Sequence, residues 1–166
     1  MIRKALSSEL PLLASIEKAA AEMFRGTPMD FVLSFPENPA QNTTIPDSVR
    51  IWVACDSADQ PIGFLKAEVV EGWLHILELS VHPGHHRKGH ARALIDAARE
   101  HARTAGLEAV SLTTDRDLPW NGPAYARMGF LELPGSKAPA WLQDMLADEI
   151  AFGFDALRRI AMVRHP

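Results

Sequence analysis

The stretch Ser80–Leu94, SVHPGHHRKGHARAL, holds His82, His85, His86 and His90 within nine residues, with Arg87 and Lys88 among them. Two chemistries suit such a run: metal ligation by imidazole, or docking of an anion. A metal centre needs ligands that converge on one point with a supporting second layer. The four-residue spacing of His82, His86 and His90 would suit one helix face, but Pro83 and Gly84 argue against a helix over 82–87. No Asp or Glu lies in the stretch to complete a hard site, so no metal is expected and exposed loop histidines are the plain alternative. The anion reading is physically direct. The loop opens a helix whose first amides are unpaired and partially positive. Arg87 and Lys88 at that pole are unfavourable for the helix unless an anion docks there. Gly89 and Ala91 let a ligand approach the backbone. A plain basic helix start on the surface would share all of these features.

Other residues could carry proton chemistry. Glu78 stands among Ile76, Leu77 and Leu79, where a carboxylate must face solvent or find a partner. His75 titrates near neutrality if unperturbed. Tyr125 is the chain's only tyrosine.

These residues need elements to position them. Ile2–Leu6 reads as a short strand, and 8–25 as an amphipathic helix with Leu10, Leu13, Ile16, Ala20 and Met23 on one face. Ser7 or Ser8 is its expected N-cap, and Pro11 falls in its first turn. A short helix near 28–34 precedes a loop punctuated by Pro36, Pro39 and Pro46. Strands over 50–56, 62–71 and 73–81 form an antiparallel meander with a tight connection at Gly72. A helix over 88–105, ended by Gly106, and a strand over 107–114 complete a parallel crossover. A helix at 121–128, a strand at 130–133, a helix at 139–151 and a final strand at 159–163 follow.

The chain has 166 residues, 47% of them apolar, and a formal net charge of −4, which disfavours nucleic acid and anionic membranes as partners. Cys55 is the single cysteine, so no internal disulfide or CxxC site forms. Glu9, Glu17, Lys18 and Glu22 interrupt the N-terminal apolar residues, so no signal peptide or membrane span is expected and the cytoplasm is the expected compartment.

VHPGHHRKGHARAL resembles the acetyl-CoA loop of the GNAT superfamily of N-acetyltransferases: a strand ending Val-x-Pro, then Arg/Gln-x-x-Gly-x-Gly/Ala, then a helix. Val81, Pro83, Gly89 and Ala91 match, and His86 departs where the family has Gln or Arg. NGPAYARMGF (121–130) resembles a second family segment, with Asn121, Tyr125, Gly129 and Phe130 in place. The resemblance is strongest over about 62–133. It implies a single-domain α/β GNAT-like fold spanning 1–166: a mixed, mostly antiparallel sheet flanked by helices, with a parallel β-α-β acetyl-CoA unit.

The resemblance also implies roles. Backbone amides across Arg87, Lys88, Gly89, His90 and Ala91 would hold the pyrophosphate of the cosubstrate acetyl-CoA, with His86 at the edge. Leu79 and Val81 would pair with its pantetheine arm, where the sheet splays, and Asn121 would bond that arm or its loop. An amine would attack the thioester directly. Tyr125 would protonate the leaving thiolate, its phenol pKa of ~10 being near that of a thiol, unless its ring simply packs in the core. Glu78 is the first candidate base and His75 the second. The acceptor, a small-molecule or peptide amine, would lie against Glu17, Phe24 and Trp120, with Phe31 and Phe35 as further apolar candidates. A CoA-binding sensor without turnover and a His-rich metal protein are the competing classes. A homodimer through the final strand or the 139–151 helix is possible.

Overall fold

The computed structural model describes residues 1–35 and 44–166; the loop expected around Pro36, Asn38, Pro39 and Asn42 lies outside them. Seven strands form one sheet: β1 (Ile2–Lys4), β2 (Val49–Cys55), β3 (Pro61–Val70), β4 (Trp73–Val81), β5 (Ala109–Asp115), β6 (Leu131–Leu133) and β7 (Arg159–Arg164). Their spatial order is β1-β2-β3-β4-β5-β7-β6, and every neighbouring pair is antiparallel except β4–β5. That parallel pair needs a crossover, supplied by α2 (His90–Thr104).

Helix α1 (Leu10–Ala21) covers one face of the sheet, packing Leu10, Leu13 and Ile16 onto Val49, Ile51, Val53 and Phe64. Helix α2 covers the opposite face, where Leu94, Ile95, Ala98 and Ala102 meet Leu65, Leu74, Val110 and Leu112. The short α3 (Gly122–Arg127) precedes β6, and α4 (Ala140–Phe152) places Leu142 against Ala161 of β7.

The meander and the crossover match the expected layout. Three details differ. The first helix runs as α1 between single 3₁₀ turns at Ser7–Glu9 and Glu22–Phe24, and Asp30–Ser34 is also 3₁₀. The expected serine cap is absent: Glu9 reaches back to accept the Leu6 amide at 2.8 Å, and Arg3 holds the same carboxylate at 2.7 Å. The last strand in sequence is interior, bonded to β5 on one side and β6 on the other.

One irregularity shapes the centre of the sheet. Opposite β3, Lys66 pairs with Glu78 but Ala67 pairs with Ile76, which leaves Leu77 as an extra residue, a β-bulge. Because side chains alternate along a strand, one inserted residue moves everything after it to the other face. Leu74 and Ile76 therefore face α2 before the bulge, and Leu79 and Val81 face it afterwards. Glu78 and Ser80 are turned to the α1 face, opposite Lys66 and Phe64. The pairing of β4 with β5 ends at the same place, at Ile76 and Leu112. Beyond it the two strands part.

The loop after β5 is tied down by Asp115. This buried carboxylate accepts two hydrogen bonds from Arg158, at 2.8 and 2.9 Å, and two more from the amides of Asp117 and Leu118. Gly122 closes the same turn: a Cβ there would lie 2.6 Å from the Arg116 carbonyl, so only glycine fits. Burial works against the Asp115 charge, but Arg158 and the two amides hold its carboxyl below the usual range. A depressed native pKa stabilises the fold above about pH 4 and is lost as pH falls through the native value. Arg158→Ala is expected to cost about 2 kcal/mol in denaturant unfolding, because the Asp115 charge then keeps only its amide donors. Asp115→Asn is expected to flatten the acid limb of stability against pH relative to wild type.

Candidate active site

The parting of β4 and β5 opens into a cleft of about 1070 Å³. Its walls come from the C-terminal half of β4, the loop into α2, the start of α3, the end of α1 and the 3₁₀ turns that follow it. Most of the residues singled out from sequence line it: Glu17, Phe24, Phe35, Glu78, Leu79, Val81, His86, Arg87, Gly89, His90, Ala91, Trp120, Asn121 and Tyr125.

The backbone of β4 is available where the strands part. His82 donates its amide to Ile62 of β3 at 2.8 Å. By the alternation of an antiparallel ladder, the amides of Leu79 and Val81 point the other way, into the gap. One acceptor position there is taken: His86 Nε2 lies 2.7 Å from the Val81 carbonyl. His86 thus donates to the protein's own backbone and braces the loop against the strand.

The cradle itself is backbone. Arg87 (φ 59°) and Gly89 (φ 82°) are both left-handed, on either side of Lys88. Alternating hand turns successive amides towards one point, the geometry of an anion nest. No side chain caps α2, so its first amides stay open to a ligand, and a Cβ at Gly89 would meet nothing within 4 Å. The side chain of Lys88 is turned aside, to the Gly84 carbonyl at 3.3 Å, and does not line the cleft. His82, His85 and His90 stack edge-on, with ring centroids 6.1 and 6.3 Å apart in sequence along the loop. Among the described residues no group of three or more His, Cys, Asp or Glu side chains could hold a metal ion. The open nest, the small residues and the unpaired strand fit a phosphate-bearing ligand with an extended arm, such as acetyl-CoA.

Two titratable groups of the lining influence each other electrostatically. The Glu78 carboxyl, half-buried on β4, is pushed up to about 7, first by lost hydration and then by the charge of Glu17. A hydrogen bond from Ser80 Oγ, the charge of Lys66 and the Leu79 amide each pull it back. Tyr125 packs edge-on against Phe130, centroids 5.8 Å apart. Burial pushes its phenol well above the usual range, the Glu78 charge adds to that, and Arg159 opposes it.

His75 does not reach this site. It is buried, bonded to Ser111 at 2.9 Å and stacked edge-on under Trp141 of α4. Burial drops its pKa to about 4. The expectation of His75 as an alternative base fails because it precedes the bulge, where α4 covers the sheet. Phe31 also leaves the cleft: its ring meets Phe35 and Phe154 at 5.7 and 5.0 Å. The sequence reading missed Ser80, Lys66 and Arg159. Ser80 was within reach, two residues from Glu78 on a strand. Lys66 and Arg159 arrive only through strand pairing.

A family model, the acetyltransferase (GNAT) family, matches residues 13–130. Solved structures of similar fold include a GNAT-family acetyltransferase of Staphylococcus aureus Mu50 (TM-score 0.73, 12% identity, 99% of this chain and 98% of that one). A paia N-acetyltransferase of Thermoplasma acidophilum, in complex with coenzyme A, gives 0.68 at 13% identity over 100% and 98%. The ribosomal-protein-S18-alanine N-acetyltransferase of Escherichia coli gives 0.65 at 17% identity over 98% and 90%. With most of its length matched by the family model, and with a parted β4–β5 pair beside an open anion nest, the chain belongs to the GNAT family of acetyltransferases, which transfer acetyl from acetyl-CoA.

Proposed function

We propose that residues 1–166 act as one N-acetyltransferase domain in which a primary amine attacks the acetyl thioester directly, Glu78 serving as base and Tyr125 as donor to the leaving sulfur. The amides across Arg87–Ala91 would hold the pyrophosphate, and those of Leu79 and Val81 the pantetheine arm, with Asn121 at the mouth. Acetyl-CoA supplies the activated acyl group. The protein's part is to position the amine, take its proton and satisfy the thiolate.

The observation that carries this reading is the Glu78 carboxyl, set in the cleft by the bulge and held near neutrality. An ammonium has no lone pair. A carboxylate titrating near the working pH both pairs with the cation and accepts its proton. The amine nitrogen then bonds the acetyl carbon, the C–S bond breaks to release coenzyme A thiolate, and the second nitrogen proton passes to that sulfur, leaving the amide and the free thiol. Tyr125 keeps its proton too firmly to release it fully, so it acts by donating a hydrogen bond to the sulfur as charge develops. This differs from the simple match of phenol and thiol pKa values expected from sequence. The lone, buried Cys55 suits a reducing cytoplasm. No helix among the described residues is long and apolar enough to cross a membrane.

Two experiments test the reading. A base must be ionised, so kcat/KM should rise with pH through about 7. Ser80→Ala should move that limb up, because it removes a donor to the carboxylate, and Glu17→Gln should move it down, because it removes a neighbouring negative charge. Glu78→Gln should lower turnover about 100-fold or more and abolish the limb. Shifts of equal sign in Ser80→Ala and Glu17→Gln would remove Glu78 as the titrating base. Tyr125→Phe should lower kcat about tenfold or more with little change in KM for acetyl-CoA. Unchanged kcat would remove Tyr125 from the chemistry.

A further inference from the structure

The acceptor half of the cleft is chemically lopsided. Its wall is apolar: Phe24, Met29, Val32 and Phe35 from the segment after α1, Leu77 from the bulge, and Trp120 before α3. Leu77, Phe35 and Trp120 remain 41%, 39% and 39% exposed. Large apolar side chains left open inside one concave site mark a surface that an apolar ligand covers.

Among the described residues, two carboxyls of the lining stand together. Glu78 and Glu17 interact with each other and with Lys66. The third carboxylate of the lining, Glu22, is engaged by Arg25 at 2.8 Å. At the other end Arg159 lines the cleft, but Nε and Nη2 are held by Glu149 at 2.8 and 2.7 Å, and Nη2 also meets Thr113 at 2.9 Å. Its planar face lies 4.2 Å from the centroid of the Phe154 ring. A cation paired this closely with its own carboxylate is a weak receptor for a second one. Lys18 of α1 is exposed and also lines the cleft.

From these placements we infer that the acceptor is a monoamine on an apolar, aryl or alkyl, body: its ammonium meets Glu78 and Glu17, and its body lies along Phe24, Phe35, Leu77 and Trp120. An acceptor carrying a carboxylate beside the amine would meet Glu78 and Glu17 with like charge. One carrying a distal ammonium would place it, dehydrated, against the aromatic wall. This inference rests on the N-acetyltransferase reading above.

The test is initial-rate kinetics with acetyl-CoA and five acceptors: ethylamine, 2-phenylethylamine, phenylalanine, putrescine and a short uncharged peptide with a free N-terminus. Product is identified as the amide by mass. The expected result is a kcat/KM for 2-phenylethylamine at least about tenfold above every other acceptor. In Phe35→Ala and Trp120→Ala its lead over ethylamine should narrow, whereas misfolding would lower both rates alike. A higher kcat/KM for phenylalanine, putrescine or the peptide would overturn the acceptor class and leave N-acetyl transfer standing. An unchanged lead in both variants would overturn the placement of the apolar body. Failure of every amine, in a protein whose melting temperature rises with acetyl-CoA, would overturn both this inference and the reading beneath it.

Discussion

The site depends on one extra residue in one strand. With Leu77 left out of the ladder as an extra residue, Glu78 and Ser80 face α1 and the cleft; were Leu77 paired in regular alternation, they would follow Leu74 and Ile76 into the apolar core beneath α2. A charged carboxylate there would have no hydration and no partner, a cost that no single surface interaction offsets. The bulge also bends the strand and increases its twist, and the bonding of β4 to β5 stops at that residue. One irregularity thus sets the carboxyl on the α1 face, turns the amides of Leu79 and Val81 towards the gap, and accompanies the parting of the parallel strands.

The rest of the molecule holds that gap open and furnishes it. On one side His86 fastens the loop to the Val81 carbonyl, and the left-handed residues Arg87 and Gly89 lead into an uncapped α2. On the other side Asp115 gathers Arg158 and two loop amides, so that α3 starts at a fixed place and carries Tyr125 to the cleft. The electrostatics of the two functional groups are coupled. Dehydration lifts both, and the Glu78 charge further holds the proton on Tyr125. In the proposed mechanism the pair would divide the work by environment, the carboxyl taking the proton and the phenol keeping its own.

Much of this was legible in the sequence because it is local. The apolar spacing of Leu94, Ile95, Ala98 and Ala102 gives α2, and the turn signals around Gly72 give the hairpin. Gly89, Ala91, Asn121 and Tyr125 carry family segments whose order alone suggests the cleft. What was not legible depends on register and on distant packing. WLHILELSV reads as an ordinary strand, and nothing in it marks Leu77 as the extra residue. His75 and Glu78 therefore looked like rival bases, until the bulge sent one into the cleft and α4 covered the other. Phe31 and Phe35 lie four apart on one turn, yet only Phe35 lines the cleft, because Phe154 from the far end of the chain claims Phe31. The brace made by His86 depends on a carbonyl that the ladder turns outward, which no spacing rule reveals.

The most direct test of the bulge and its open gap is amide hydrogen exchange across β4, resolved by residue, with and without saturating coenzyme A. Exchange at Leu79 and Val81 should slow by about tenfold or more on binding, as their amides meet the cosubstrate arm in the gap. The amides of Ser80 and His82, already directed to β3, should change far less. Binding of coenzyme A with Leu79 and Val81 unchanged would contradict the account, because the parted strands would then not be where the cosubstrate arm lies.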